Sequence, residues 1–291
     1  MQAPSLHLTL APLLMLPGSP EEARPEKPPE IRLLVRADDM GAAQAINEAC
    51  IQTAREGIAR SVEVIVPGPW FLDAVRLLKE NPEIDVGVHL ALTSEWERVK
   101  WGPLTRAPSL VDENGYFFPM TGARRDFPSR TSFLESGFKL EEVEKELRAQ
   151  IELARKHLPR ISHVSAHMGA ATAIPELRAI TEKLAKEFGL RMEGLRGAGR
   201  WSGTSRSPEE KEAGLAEILE KLEPGDWLIV EHPGLDTPEM RNIGHKGYEN
   251  VAADRAGVTQ AFVSPKVKEV IERRKIRLIG YADLGTKAVS R

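Results

Sequence analysis

Short apolar runs alternate with helical periods along most of this chain, and that alternation constrains its fold more than any other feature. Residues 33–37, 62–66, 85–92, 161–165 and 227–231 read as strands, with a weaker one at 190–193 and a last one at 276–279. Between them the apolar spacing predicts helices over 42–56, 70–79, 140–157, 175–188, 208–222 and 264–274. A strand, a helix and then another strand imply a parallel sheet with right-handed crossovers. Seven or so strands in one unbroken alternation favour a single α/β domain built as a closed or nearly closed barrel. In such barrels the working residues sit at the C-terminal ends of the strands. Three segments break the rhythm. Residues 94–136 and 194–207 read as long loops, and 236–261 as irregular or partly helical. Loops of the first kind are usually functional or disordered.

The first strand ends in a way that needs explaining. In IRLLVRADDMG, a buried run over 33–37 passes into two consecutive carboxylates, Asp38 and Asp39. Strand side chains alternate, so the two acids start in different directions. One can bind while the other works beside it. Taken alone, the pair is equally well explained as a strand exit followed by a helix cap. The histidines change that balance. Of seven, only His7, His157 and His245 lie away from strands. His89, His163, His167 and His232 fall in or just after predicted strands, on the same side of the expected barrel as Asp38 and Asp39. One carboxylate and two imidazoles form a metal-ligand set with open positions for water and substrate. Asp39, His89 and His167 can supply it, with His163 as the fallback. His232, in EHPG, sits in a tight strand exit between Glu231 and Pro233.

Composition narrows the classes. Lys and Arg number 40 against 43 Asp and Glu, a net charge of -3, which gives no footing for a broad nucleic-acid surface. A single cysteine, Cys50, excludes an internal disulfide and a Cys-rich zinc site. No stretch approaches the ~18 apolar residues of a membrane span. GAGRWSG follows a weak strand without opening a helix, so it fails as a dinucleotide loop. There is no G-x-S-x-G nucleophile elbow. A two-carboxylate glycosidase would leave the histidines unexplained. Residues 1–30 read as a separate tail, an apolar run followed by a Pro-rich linker. That run has no basic residue before Arg24 and no A-x-A site, so it is either a degenerate export signal or a disordered tail. The protein is exported in the first case and cytoplasmic in the second.

Five segments, in order, resemble the YdjC-like carbohydrate deacetylases, the group of chitooligosaccharide deacetylase and its hopanoid-associated relatives. RADDMG resembles the family's N/T-A-D-D-F-G, and VGVHLALT its G-x-H-L-x-L-T. GPLTRAPSLVDENGYFF resembles its long loop, EHPG its late H-P-G, and IRLIGYADL its closing strand and Y-x-D-L. The resemblance runs from about residue 31 to 284, and residues 31–291 are expected to form the domain. It implies a distorted (β/α) barrel of about seven parallel strands and one divalent metal ion, Mg or Zn. It also implies removal of acetyl groups from N-acetylated sugars or oligosaccharides. Asp38 is then expected as base, Asp39, His89 and His167 as ligands, and His232 as the opposing acid. Arg and aromatic residues of the 96–130 loop are expected to form a sugar platform. The oligomer is open between monomer and homodimer.

One segment departs. The family typically carries H-x-D-S-H-x-H-x-H after the long helix, where this chain has HVSAHMG. Ser165 replaces the Asp and Gly169 a later His. If that Asp orients a ligand histidine, its loss loosens the site. Two further readings stay open: a carbohydrate-binding protein that keeps only the metal site, and a metal-dependent sugar isomerase or phosphoesterase on a similar barrel.

Overall fold

The computed structural model describes residues 30–284 apart from Asp126 and Glu193; the expected tail therefore lies outside the described residues up to Glu30. Eight strands form one all-parallel sheet: β1 (Ile31–Met40), β2 (Ser61–Val64), β3 (Asp85–Leu90), β4 (His163–Ala166), β5 (Arg191–Met192), β6 (Arg196–Gly197), β7 (Gly225–Glu231) and β8 (Arg277–Ile279). Their order is β5-β4-β3-β2-β1-β7-β6, with β8 paired to β1. That is the cyclic order of a barrel in which β7 closes directly on β1. Among the described residues no ladder joins β5 to β6, so the curl stays open there.

β1 is the hub. Arg36 is paired with both Ser61 of β2 and Val230 of β7, and Leu33 with both Trp227 of β7 and Leu278 of β8. β2 and β8 therefore share one edge of β1, one above the other, and β7 runs along the other from Ile31 to Ala37. Leu33, Leu34, Val35 and Ala37 are fully buried, as expected of a strand covered on both faces.

Among the described residues seven α-helices surround the sheet: α1 (Gln44–Arg55), α2 (Phe71–Glu80), α3 (Leu140–His157), α4 (Pro175–Glu187), α5 (Pro208–Lys221), α6 (Val251–Val263) and α7 (Pro265–Arg273). Their ends follow local chemistry. Ser207 and Glu210 close a capping box on α5, and Ser264 caps α7. α3 begins with Glu141 and Glu142 and ends with Arg155, Lys156 and His157, matching its dipole. None of the described helices is long and apolar enough to cross a membrane.

The structure departs from the sequence reading in four places. β1 runs through Asp38 and Asp39 instead of ending at Ala37. Asp39 has φ of 73°, and the β1–β2 register shifts between Ala37 and Met40. A bulge with left-handed backbone breaks the alternation, so both acids turn toward one centre. The 194–207 loop holds β6, a strand too short to leave a periodic signal. The segment read as irregular holds α6, which buries Val251, Ala252, Val258, Ala261 and Phe262 and so lacks a polar stripe. The long 94–136 loop is packed, burying Trp96, Trp101, Leu110, Phe117 and Phe133. α3 pins it from below. Glu146, fully buried, accepts hydrogen bonds from Leu104 N, Thr105 N and Thr105 Oγ1, and Glu142 accepts from Ser109 N and Oγ.

Candidate metal centre

Asp39, His89 and His167 meet at the C-terminal ends of β1, β3 and β4. One ligand atom from each lies within 4.8 Å of the other two. Asp39 Oδ1 is 3.5 Å from His89 Nε2 and 3.2 Å from His167 Nδ1. All three residues are 2% exposed. Asp39 Oδ1, His89 Nε2 and His167 Nδ1 are also buried atoms without a hydrogen-bond partner. Unpaired buried polar atoms are costly, and here three of them converge. A carboxylate oxygen and two imidazole nitrogens facing one point fit a divalent cation.

Each of the three side chains is held from behind. Arg255 of α6 donates from Nη2 to Asp39 Oδ2 at 2.7 Å, on the oxygen turned away from the histidines. Its guanidinium lies 5.1 Å over the Trp96 ring. His167 Nε2 is 2.9 Å from Glu95 Oε2. His89 Nδ1 is 2.6 Å from Ser165 Oγ, which donates to Glu63 Oε2 at 2.6 Å. Carboxylates behind the imidazoles fix which nitrogen faces a metal.

The field at the centre is uneven. Burial raises the cost of an ionised Asp39, yet Arg255 and then His232 and His167 hold its carboxyl well below the usual range. His89 is pushed down to about 3, by burial first and by His167 second. His167 suffers the same burial, but the Glu95 and Asp39 carboxylates more than offset it and lift it to about 10. Without a cation, the field favours a neutral His89 and a protonated His167.

Asp38, 2% exposed, is clamped by Arg36, which donates from Nε to Oδ1 at 2.8 Å and from Nη2 to Oδ2 at 3.0 Å. Asp38 Oδ2 lies 3.7 Å from His89 Nε2, so the acid borders the triad without joining it. His232 directly follows β7, whose Glu231 pairs with Ala37 one residue before Asp38. Its side chain is 43% exposed. Partial burial disfavours its cation, but Asp39, Glu231 and Asp38 raise its pKa above the ordinary histidine value.

His163, the fallback ligand, is elsewhere. It is fully buried, in hydrogen-bond contact with Glu63 and stacked on Tyr281 at 3.6 Å between ring centroids. It faces the inside of the sheet below the triad because it precedes His167 by four residues, within β4 rather than past its end. Sequence reasoning missed Arg36, Glu63, Glu95 and Arg255. Arg36 and Glu63 had a signal, a lone charge within an apolar strand, which a buried strand tolerates only when paired. Glu95 and Arg255 had none.

A cavity of about 650 Å³ opens beside Glu95, lined also by Trp96, Lys100, Tyr116, Phe127 and Arg130. It lies in the packed 94–136 loop, and Glu95 is the wall it shares with the triad.

Comparison with known proteins shows the family. The sequence model of the family described as YdjC-like protein matches residues 32–273. A carbohydrate deacetylase of Thermus thermophilus is 34% identical over 235 residues, 72% of this chain and 80% of that protein. Carbohydrate deacetylase 2 of Listeria innocua is 26% identical over 269 residues, 88% of this chain and 100% of its own length. The crystal structure of a candidate cellobiose-phosphate cleavage protein from Enterococcus faecalis superposes with a TM-score of 0.72 at 25% identity, covering 88% of this chain and 99% of that one. The chain belongs to the YdjC-like family, whose two members compared by sequence are carbohydrate deacetylases.

Proposed function

We propose that the protein is a divalent-metal-dependent deacetylase of N-acetylated sugars, with the cation held by Asp39 Oδ1, His89 Nε2 and His167 Nδ1. The observation that carries this reading is the convergence of three buried, unpartnered ligand atoms. Charge supports it. Asp38, Asp39, Glu63 and Glu95 are each at most 6% exposed, against Arg36 and Arg255 as the arginines among them. Four carboxylates gathered around two guanidiniums give the site an excess of acidic groups, which suits a divalent cation. Two nitrogen donors favour zinc over magnesium.

When bound, the cation supplies Lewis-acid chemistry at the acetyl group and acidifies water. Asp38, on the edge of the triad, takes the proton of the water that attacks the acetyl carbon. Arg36 holds both of its oxygens, so the carboxylate cannot swing away. As the C–N bond breaks, protonated His232 donates to the departing amine, and acetate and free amino sugar leave. The exposed face of His232 suits a group that must be reprotonated from solvent each cycle. The aromatic and charged walls of the cavity beside Glu95 suit a sugar ring, with apolar faces against Trp96 and Phe127.

The test is acetate release from N-acetyl and O-acetyl sugars by metal-loaded and chelated protein. The expected result is one acetate per free amine from an N-acetyl sugar, abolished by chelation and restored by added zinc. Hydrolysis unaffected by chelation, or no acetate from any acetylated sugar, overturns the reading.

A further inference from the structure

β2 and β4 are not neighbours: β3 lies between them. Adjacent strands are ~4.8 Å apart, so side chains on β2 and β4 stand about 10 Å apart at their roots. Nevertheless Glu63 of β2 contacts both His163 and Ser165 of β4. The reason is Gly87 of β3. It is paired with Glu63 on one side and His163 on the other. A Cβ at position 87 would lie 2.6 Å from each Glu63 carboxylate oxygen and would also strike His163 Nε2. The missing side chain is a window through which a carboxylate from β2 reaches across β3.

What it reaches is the support of a metal ligand. Ser165 stands opposite His89 in the β3–β4 ladder, with its Oγ 2.6 Å from His89 Nδ1. A serine hydroxyl has one proton, and Ser165 gives it to Glu63 Oε2. Its oxygen must therefore accept from His89, which places the imidazole proton on Nδ1 and leaves the Nε2 lone pair facing Asp39. We infer that Glu63, acting through Ser165 and across the gap at Gly87, is a positioning residue that fixes the His89 tautomer and ring orientation for cation binding. This rests on reading the triad as a cation site, but the tautomer itself is a property of the cation-free protein.

The relay makes a prediction that bulk packing does not. Ser165→Ala removes only the hydroxyl and leaves Glu63 paired with His163 and Arg36. Heteronuclear NMR of imidazole nitrogens in cation-free protein should show His89 protonated at Nδ1 in the wild type. In Ser165→Ala it should show a mixture or the Nε2–H form. Zinc affinity by calorimetry should fall ~10–100-fold in that variant, as for other lost supports of a metal-bound histidine. Ser165→Asp alone sets a second carboxylate against Glu63 and should be at least as poor. Ser165→Asp combined with Glu63→Gln replaces the relay by one direct carboxylate and should recover the Nδ1–H form and most of the affinity. Gly87→Ala should lose the tautomer with Glu63 and Ser165 both intact. Wild-type tautomer and zinc affinity in Ser165→Ala overturn the inference, as do additive losses in the Ser165→Asp, Glu63→Gln pair. Wild-type protein with the Nδ1–H form but no zinc binding would instead overturn the cation site and leave the relay standing.

Discussion

His167 lies between two carboxylates, with Nδ1 3.2 Å from Asp39 Oδ1 and Nε2 2.9 Å from Glu95 Oε2. Only one of these contacts is compatible with a cation at the triad, because the Nδ1 lone pair must then face the metal. The proton that the two acids hold on the ring in the cation-free state has to leave.

That exchange sets a pH dependence. The His167 pKa is raised to about 10, so the ring is charged at neutral pH and binding a cation releases one proton. His89, down at about 3, is already neutral and releases none. Apparent affinity should therefore rise about tenfold per pH unit between roughly pH 6 and 9, as expected for one released proton. Calorimetry in buffers of different ionisation enthalpy checks this; zero protons released at pH 7 would refute it.

Glu95→Gln removes the acid that contributes most to holding that proton. Without it the carboxylate support of His167 is also gone, so affinity should drop ~10–100-fold. The two effects separate by pH: the proton released per cation should fall below one at neutral pH. Unchanged affinity and proton count would assign Glu95 to the cavity wall alone.

Replacing Asp39, His89 or His167 by Ala should cost more than the ~100-fold upper range seen for supporting residues, with the fold retained. Elemental analysis and circular dichroism on the three variants read both. Full metal content in all three would remove the triad as the site.

Asp38 and His232 should differ by leaving group. His232→Asn should retain metal and lose ~10²–10⁴-fold in kcat on an N-acetyl sugar, the usual cost of a lost acid. On an activated aryl ester, which leaves without a proton, its activity should recover. Asp38→Asn should fail on both. Because the His232 pKa is raised, the wild-type amide rate should fall with rising pH only above the ordinary histidine value, ~6.5. Equal losses for His232→Asn on the two substrates would leave it without an acid role.

Arg36→Met strands Asp38 and leaves Glu63 with less positive charge. Arg36 and Asp38 side chains are 4% and 2% exposed, and breaking such a buried pair costs about 3–5 kcal/mol. Urea denaturation measures it; a loss below ~1 kcal/mol, the worth of a surface pair, would show that water replaces the guanidinium.

The strand ends were legible because they follow from local pattern. An apolar run that stops in Asp38–Asp39, or carries His89, marks itself. The supports of those residues were not, since each depends on a partner distant in sequence. Glu63 reaches Ser165 only because Gly87 has no side chain, and a glycine inside a strand does not say what passes it. Arg255 is on a helix with apolar residues all round, so nothing in the local spacing singled it out. The bulge at Asp39 also escaped, because strict alternation would have sent the two acids apart.

The position of β1 carries one more consequence, for the order in which this chain becomes competent. Asp39 is tied to Arg255 across 216 residues, and β1 pairs with β2 from one half of the chain and with β7 and β8 from the other. Contacts this distant in sequence form slowly, after loop closure has been overcome. A nascent chain that has made β1 to β4 and the turn after β4 that carries His167 owns every atom of the triad but not the guanidinium that orients Asp39. Cation capture should thus lag behind sheet formation during synthesis, arriving only when α6 has docked. On the proposed reading, cation affinity then doubles as a readout of whether the last third of the protein has folded.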